Sequence, residues 1–222
     1  YKQLLSSRHG LLSRRRGDGE IVYGFIHGNW ALANSHPAGR FCGVDNELDV
    51  LRETGCYADF TFPSAPDATQ PGKINSIYYE QSLLLIQGPL LLDWQNRKWG
   101  IAPRIENGCL QSGQLPTATR LDLWLRARIQ IPTRPDWFFV KLYTHGAVER
   151  NERMLLGEPM LRFHEALVRR AEQNRNFHFH YVTARQMYNL VRAAEANWTG
   201  SVEQARDFEI VPVNSELSKV RA

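Results

Sequence analysis

Apolar and polar residues alternate in blocks along the chain, and the blocks switch between the two-residue period of a strand and the 3.6-residue period of a helix. The predicted strands cover 20–26, 57–62, 82–92, 136–143 and 177–182, where 82–92 is either one buried strand or a bent pair. The predicted helices cover 1–13, 44–54, 117–129, 158–174 and 183–196. This alternation of strand and helix predicts an α/β fold with a largely parallel sheet, open or closed into a barrel.

Two of the predicted strands end in a histidine that is followed by glycine. The sequence "FIHG" places His27 after the first strand, and "LYTHG" places His145 after the fourth. Because sites in α/β folds lie at the carboxyl ends of the strands, both side chains are expected to face one pocket. Histidine can act there as a ligand, general base or general acid, and the alternative for each is a structural strand end.

The composition of the chain argues against several classes of function. The 222 residues carry a net charge of +4, and the three consecutive arginines at 14–16 are the main basic cluster, so nucleic-acid binding is not expected. No apolar run reaches the roughly 18 residues of a membrane span. Three cysteines without CxxC spacing predict neither a disulfide framework nor a structural zinc knot. Asp45 and Glu47, at the start of the second predicted helix, are interpreted as favourable charges for the helix dipole.

Four segments occur in an order that is typical of one enzyme family: "YGFIHGNWAL", "NELDVLRETGCYADFTFPSAP", "WFFVKLYTHG" and "FHFHYVTARQMYNLV". Together they resemble the polysaccharide deacetylases of carbohydrate esterase family 4, which have the NodB-like fold, and in particular an uncharacterised bacterial subgroup. The resemblance covers residues 20–196. It implies a distorted (β/α) barrel and a single catalytic domain over 1–222, in which 197–222 is a tail.

The resemblance also implies a reaction, which is the metal-assisted removal of an acetyl group from an N-acetylated carbohydrate or a related amide. The expected cofactor is a divalent metal, zinc above others. His145 matches the late histidine that protonates the leaving amine, and His27 is the second catalytic candidate. Ile26 stands where relatives carry an arginine-containing motif.

The substrate is expected to contact four residues, Asn29, Trp30, Asp59 and Tyr143, with Trp30 as an aromatic wall for a sugar ring. The metal ligands of the family belong to motifs that would precede residue 20. They are therefore expected upstream of Tyr1, together with the first strands of the barrel, and the chain is interpreted as part of a longer protein. The resemblance implies a role in the bacterial cell envelope or outside the cell, with the cytoplasm as the alternative. The alternative is a non-catalytic relative that keeps the fold to bind carbohydrate or to serve in an assembly, and Ile26 favours it.

Overall fold

The computed structural model describes residues 1–215 and has a mixed α/β architecture. The strands are β1 Ser13–Arg15, β2 Ile21–Phe25, β3 Cys56–Asp59, β4 Ile77–Glu80, β5 Leu83–Ile86, β6 Leu90–Lys98, β7 Ala102–Asn107 and β8 Ile210–Pro212. The helices are α1 Lys2–His9, α2 Glu47–Glu53, α3 Ala118–Arg126, α4 Glu149–Leu155, α5 Glu158–Gln173, α6 Ala184–Glu195 and α7 Val202–Ala205, with a short 3₁₀ turn at Leu32–Asn34. Among the described residues, every helix is too short or too polar to cross a membrane.

Six strands form one open sheet in the order β4-β5-β3-β2-β1-β8. Only the central pairs β2–β3 and β3–β5 are parallel, and the pairs toward both edges are antiparallel. The mixed α/β class is confirmed, whereas the prediction of a largely parallel sheet was wrong, because the edge strands pair antiparallel. The described strands end at the edges β4 and β8, so the predicted barrel is not confirmed.

Two predicted strands are extended but do not join the sheet. In segment 136–143 Phe139 is 6% exposed and Phe138 is 41% exposed, so the alternation of burial is real. Its backbone pairing consists of an isolated bridge between Tyr143 and Cys109 and a hydrogen bond from the Phe139 amide to the Ile129 carbonyl at 2.8 Å. In segment 177–182 Phe177 and Phe179 pack into a cluster with α3 and α5. Both strand predictions were wrong because a two-residue period reports burial and does not identify a hydrogen-bonding partner.

The helix predictions at 44–54, 117–129, 158–174 and 183–196 are confirmed within a few residues. The first helix is shorter than predicted because Gly10, with φ of 62°, ends it, and β1 follows. Segment 82–92 is the bent pair, β5 and the start of β6. The segment interpreted as a tail contributes α7 and the edge strand β8, which pairs with β1.

The core lies on both faces of the sheet. All four residues of β5 are buried, and alternate residues enter different clusters. Leu84 and Ile86 pack with α6, whereas Leu83 and Leu85 pack with α2 and the 3₁₀ turn. A strand covered on both faces requires an unbroken apolar run, which is the reason for "LLLI" in the sequence.

Candidate metal centre

The candidate site lies where the two parallel strands β2 and β3 end. The amide of Phe60 donates to the carbonyl of Phe25 at 2.9 Å, so the chain after β3 runs beside the chain after β2. The loop 26–46 leaves β2 at this point and returns into α2. This arrangement brings the two loops of the resemblance, "FIHGNW" and "DFTFP", to the same edge of the sheet.

Three potential metal ligands meet in this loop. One donor atom from each of His27, Cys42 and Glu47 lies within 4.8 Å of the other two, and all three residues are half-buried. The Cys42 thiol lies 3.2 Å from Glu47 Oε2, which also accepts a hydrogen bond from the amide of Ala33 at 2.8 Å. The Glu47 carboxylate therefore contacts the loop from its place at the start of α2, in addition to any effect on the helix dipole.

The backbone of the loop adopts unusual conformations. Four non-glycine residues have positive φ, namely Trp30 (58°), Ala33 (50°), Asn34 (56°) and Phe41 (79°). The Asn34 side chain fixes the loop because it accepts from the Gly43 amide at 2.8 Å and donates to Asp45 at 2.6 Å. Such strain persists only where the surrounding structure holds it, and it concentrates at functional sites.

A chain of hydrogen bonds joins the His27 backbone to the buried Asp59 through Thr61. The His27 amide donates to Thr61 Oγ1 at 2.7 Å, and the Thr61 hydroxyl donates to Asp59 Oδ2 at 2.7 Å. The Thr61 amide donates to the other carboxylate oxygen, Oδ1, at 2.9 Å. Asp59 is 1% exposed. It therefore acts on the site through Thr61, without the open surface that direct contact with a substrate needs.

Lys141 lies in the same buried layer. Its ammonium group donates to the carbonyls of Phe60 and Phe62 at 2.6 and 2.8 Å. Burial lowers the pKa of Lys141 to about 7, against a smaller opposing effect of the Asp59 charge. Burial raises the pKa of Asp59 to about 6, and the hydrogen bonds from Thr61 and the charge of Lys141 oppose this rise. Both groups thus change charge near neutral pH.

Aromatic residues lie beside the loop. The rings of Trp30 and Tyr143 meet edge to face with centroids 5.7 Å apart. Burial raises the pKa of the Tyr143 hydroxyl, so this group stays protonated at neutral pH. Asn29 is exposed, and its amide donates to His27 Nδ1 at 3.3 Å. The Trp30 amide donates to the His27 carbonyl at 3.1 Å, so the fold brings together three of the predicted site residues, Trp30, Tyr143 and His27.

His145 is placed differently. It is exposed, and its carbonyl accepts from the Asn151 side chain at 3.1 Å. Within residues 1–215 the His145 imidazole has no hydrogen-bond partner or ring contact. No contact therefore links its side chain to the His27–Cys42–Glu47 cluster.

The donor set fits a zinc ion. Imidazole nitrogen, thiolate sulfur and carboxylate oxygen are the three ligand types that zinc takes in proteins, and three protein ligands leave a fourth position free, as in catalytic sites. The resemblance locates the ligands upstream of Tyr1, whereas the described chain offers this set of its own.

Sequence reasoning did not assign Cys42, Glu47, Thr61 or Lys141 to the site. Thr61 and Lys141 carried no signal beyond their place in strand-like segments. Cys42 and Glu47 carried a weak signal: Cys42 stands in the loop between β2 and α2, which must fold back over the strand ends, and Glu47 is the first residue of α2. Comparison of the chain with known protein families, curated proteins and solved structures gave no match.

Proposed function

We propose that the protein is a metal-dependent hydrolase that removes acetyl groups from an N-acetylated carbohydrate or a related amide. The observation that carries the proposal is the His27–Cys42–Glu47 cluster at the carboxyl end of β2, next to an aromatic pair that suits a sugar ring. The resemblance in the order of four motifs supports the same reaction.

Bound zinc would act as a Lewis acid toward the acetyl carbonyl and would lower the pKa of water in the open position. The chain supplies the rest. Cys42 would bind as a thiolate and Glu47 as a carboxylate, with their donor atoms 3.2 Å apart, and the thiol proton would be released to solvent. Asp59 and Thr61 position the backbone of His27, and Trp30 forms a wall for the sugar ring. The proton for the leaving amine is assigned to His145 on the resemblance alone.

The proposal extends to the fold. The extended segments 139–143 and 177–182 would correspond to strands of a NodB-like barrel. Lys141 supports this correspondence because its side chain joins segment 139–143 to the carbonyls that follow β3.

The test is zinc binding and acetate release by the purified chain. We expect one zinc per chain by elemental mass spectrometry and acetate release from chitin oligomers. Replacing a ligand, as in His27→Ala, Cys42→Ser or Glu47→Gln, is expected to weaken zinc binding by at least about 100-fold, since even residues that only orient the ligands contribute 10–100-fold.

Two control variants match these changes elsewhere on the chain. Glu53→Gln alters an exposed carboxylate at the other end of α2, and His178→Ala removes an exposed imidazole. Both are expected to bind zinc as the unmodified chain does. Equal zinc affinity in the ligand variants and the controls would contradict the proposed centre.

A second candidate function is carbohydrate binding without catalysis. The observation in its favour is that Ile26, 65% exposed, stands where the family places an arginine-containing motif, while Trp30 and Tyr143 can stack on a sugar without a metal. Oligosaccharide binding that persists in chelator and releases no acetate would support this candidate in place of the hydrolase.

A further inference from the structure

The strands β6 and β7 form an arm that is separate from the main sheet. Among residues 1–215, these two strands pair only with each other. The arm is held at its base, where Glu106 forms a buried ion pair with Arg120 of α3 at 2.8 Å. The glycines on either side of the arm, Gly88 and Gly108, lie so close to the carbonyl of Lys141 that an added Cβ would be 3.1 and 2.8 Å from it. The base of the arm therefore packs against the segment that carries Lys141.

The tip of the arm is apolar, which is unusual for a hairpin turn. The Ile101 amide donates to the Lys98 carbonyl, and between them Trp99 and Gly100 have φ of 54° and 73°. Two successive positive φ angles favour Asn-Gly, because a large side chain is strained there. Here the first position holds Trp99, and both Trp99 and Ile101 are 79% exposed.

Further exposed apolar residues lie along the arm. Leu92 and Ile105 are directly paired across the two strands and are 48% and 46% exposed. Trp94, two residues further along β6, is 54% exposed. The apolar surface of the arm is thus not confined to its tip.

The exposed charges of the arm all have one sign. Arg97, Lys98 and Arg104 are exposed and form no ion pair within the described residues. The two acidic residues of the arm, Asp93 and Glu106, are buried. Asp93 accepts from the amides of residues 95 and 96, at 3.0 and 3.1 Å, and Glu106 is paired with Arg120. Lys98 also lies 4.3 Å from the centroid of the Trp99 ring.

We propose that this arm is a membrane-surface anchor, in which Trp99 and Ile101 insert into the interface of an anionic lipid bilayer and Arg97, Lys98 and Arg104 bind the headgroups. Tryptophan prefers the boundary between hydrocarbon and water, and basic side chains just behind an apolar tip reach the anionic headgroups. A small ligand would need a concave pocket, whereas these side chains lie at a convex end. A second copy of the chain would bring like charges together.

The test is co-sedimentation of the full chain with vesicles of phosphatidylcholine, with and without about a quarter phosphatidylglycerol. We expect binding only to the anionic vesicles. The double variant Trp99→Ser/Ile101→Ser is expected to bind at least about tenfold more weakly, because two apolar side chains no longer leave water. Replacing Arg97, Lys98 and Arg104 with glutamine is expected to cost about fivefold for each charge.

Leu156→Ser is the matched control because Leu156 is 84% exposed on α4's C-terminal end and lies outside the arm. It is expected to bind vesicles as the unmodified chain does. Circular dichroism of every variant establishes that the fold is retained, which the exposed position of each residue favours.

Several results would overturn the proposal. One is failure of the unmodified chain to bind anionic vesicles, and another is unchanged binding by the tip variant. If the chain bound neutral and anionic vesicles equally well, the proposed contact of Arg97, Lys98 and Arg104 with anionic headgroups would be wrong. A dimer in light scattering that the tip variant converts to a monomer would assign the arm to self-association. Binding to a soluble anionic polysaccharide that the same variant abolishes would assign it to a glycan.

Discussion

At the scale of single residues, the most informative feature is a buried cation. Lys141 is 9% exposed and donates to the backbone carbonyls of Phe60 and Phe62. A buried charge is tolerated only where such partners compensate for lost hydration. The Lys141 side chain therefore joins segment 136–143 to the chain that follows β3.

This burial predicts a pH dependence of stability. The pKa of Lys141 falls from 10.5 to about 7 on folding, so between these values the unfolded chain binds more protons. The free energy of unfolding should therefore rise with pH across this window, with a slope of up to about 1.4 kcal/mol per pH unit. Lys141→Met should lose this slope in urea denaturation series.

Lys98→Met provides the comparison, because it makes the same substitution at an exposed lysine. The pH dependence of this variant should follow that of the unmodified chain. The pKa of Lys141 in the folded chain is about 7. If the free energy of unfolding changes with pH above this value in the same way for Lys141→Met and the unmodified chain, the low pKa is refuted.

At the scale of elements, one ion pair fixes the β6–β7 arm to α3. Both carboxylate oxygens of Glu106 bind Arg120 at 2.8 Å, and one also accepts from the Trp124 indole at 2.7 Å. Glu106→Gln leaves the arginine buried without its counter-charge. The expected loss is about 3–5 kcal/mol in the free energy of unfolding.

The contrast is the exposed pair of Glu158 and Arg162 on α5. Glu158→Gln should cost less than about 1 kcal/mol, since water screens this pair. Chemical denaturation of the two variants measures both values. A cost for Glu106→Gln as small as that for Glu158→Gln would show that α3 and the arm are joined mainly by other contacts.

At the scale of the whole molecule, strands from near both ends of the described chain pair with each other at one edge of the sheet. Residues 13–15 of β1 pair with residues 210–212 of β8. Ile210 is fully buried and packs with α6 in the largest core cluster. Residues 202–212 are therefore part of the folding unit.

A smaller side chain at Ile210 in β8 tests whether this strand belongs to the folding unit. Ile210→Ala should lower the free energy of unfolding by about 2–5 kcal/mol, because a buried side chain is removed and a cavity remains. Leu156→Ala, at an 84% exposed position, should stay within about 0.5 kcal/mol. Thermal or urea unfolding of both variants gives the comparison, and similar small costs would mean that β8 is peripheral.

The sequence by itself determined the local structure of this protein and the buried side of each segment. The helices at 44–54, 117–129, 158–174 and 183–196 follow from apolar periodicity and end signals, and α6 begins with the capping box that Thr183 and Gln186 form. The histidine at the end of β2 was identified in the same way. These features depend on interactions between residues close in the chain, which a sequence pattern records directly.

Only the tertiary structure decided which segments pair and which side chains meet. The mixed order of the sheet, the extended segments outside it and the late strand β8 depend on partners far away in the chain. The same holds for the cluster of His27, Cys42 and Glu47, which forms because a strained loop folds back over the strand ends. Long-range pairing is a choice among many segments with similar patterns, and the packing of the whole molecule makes that choice.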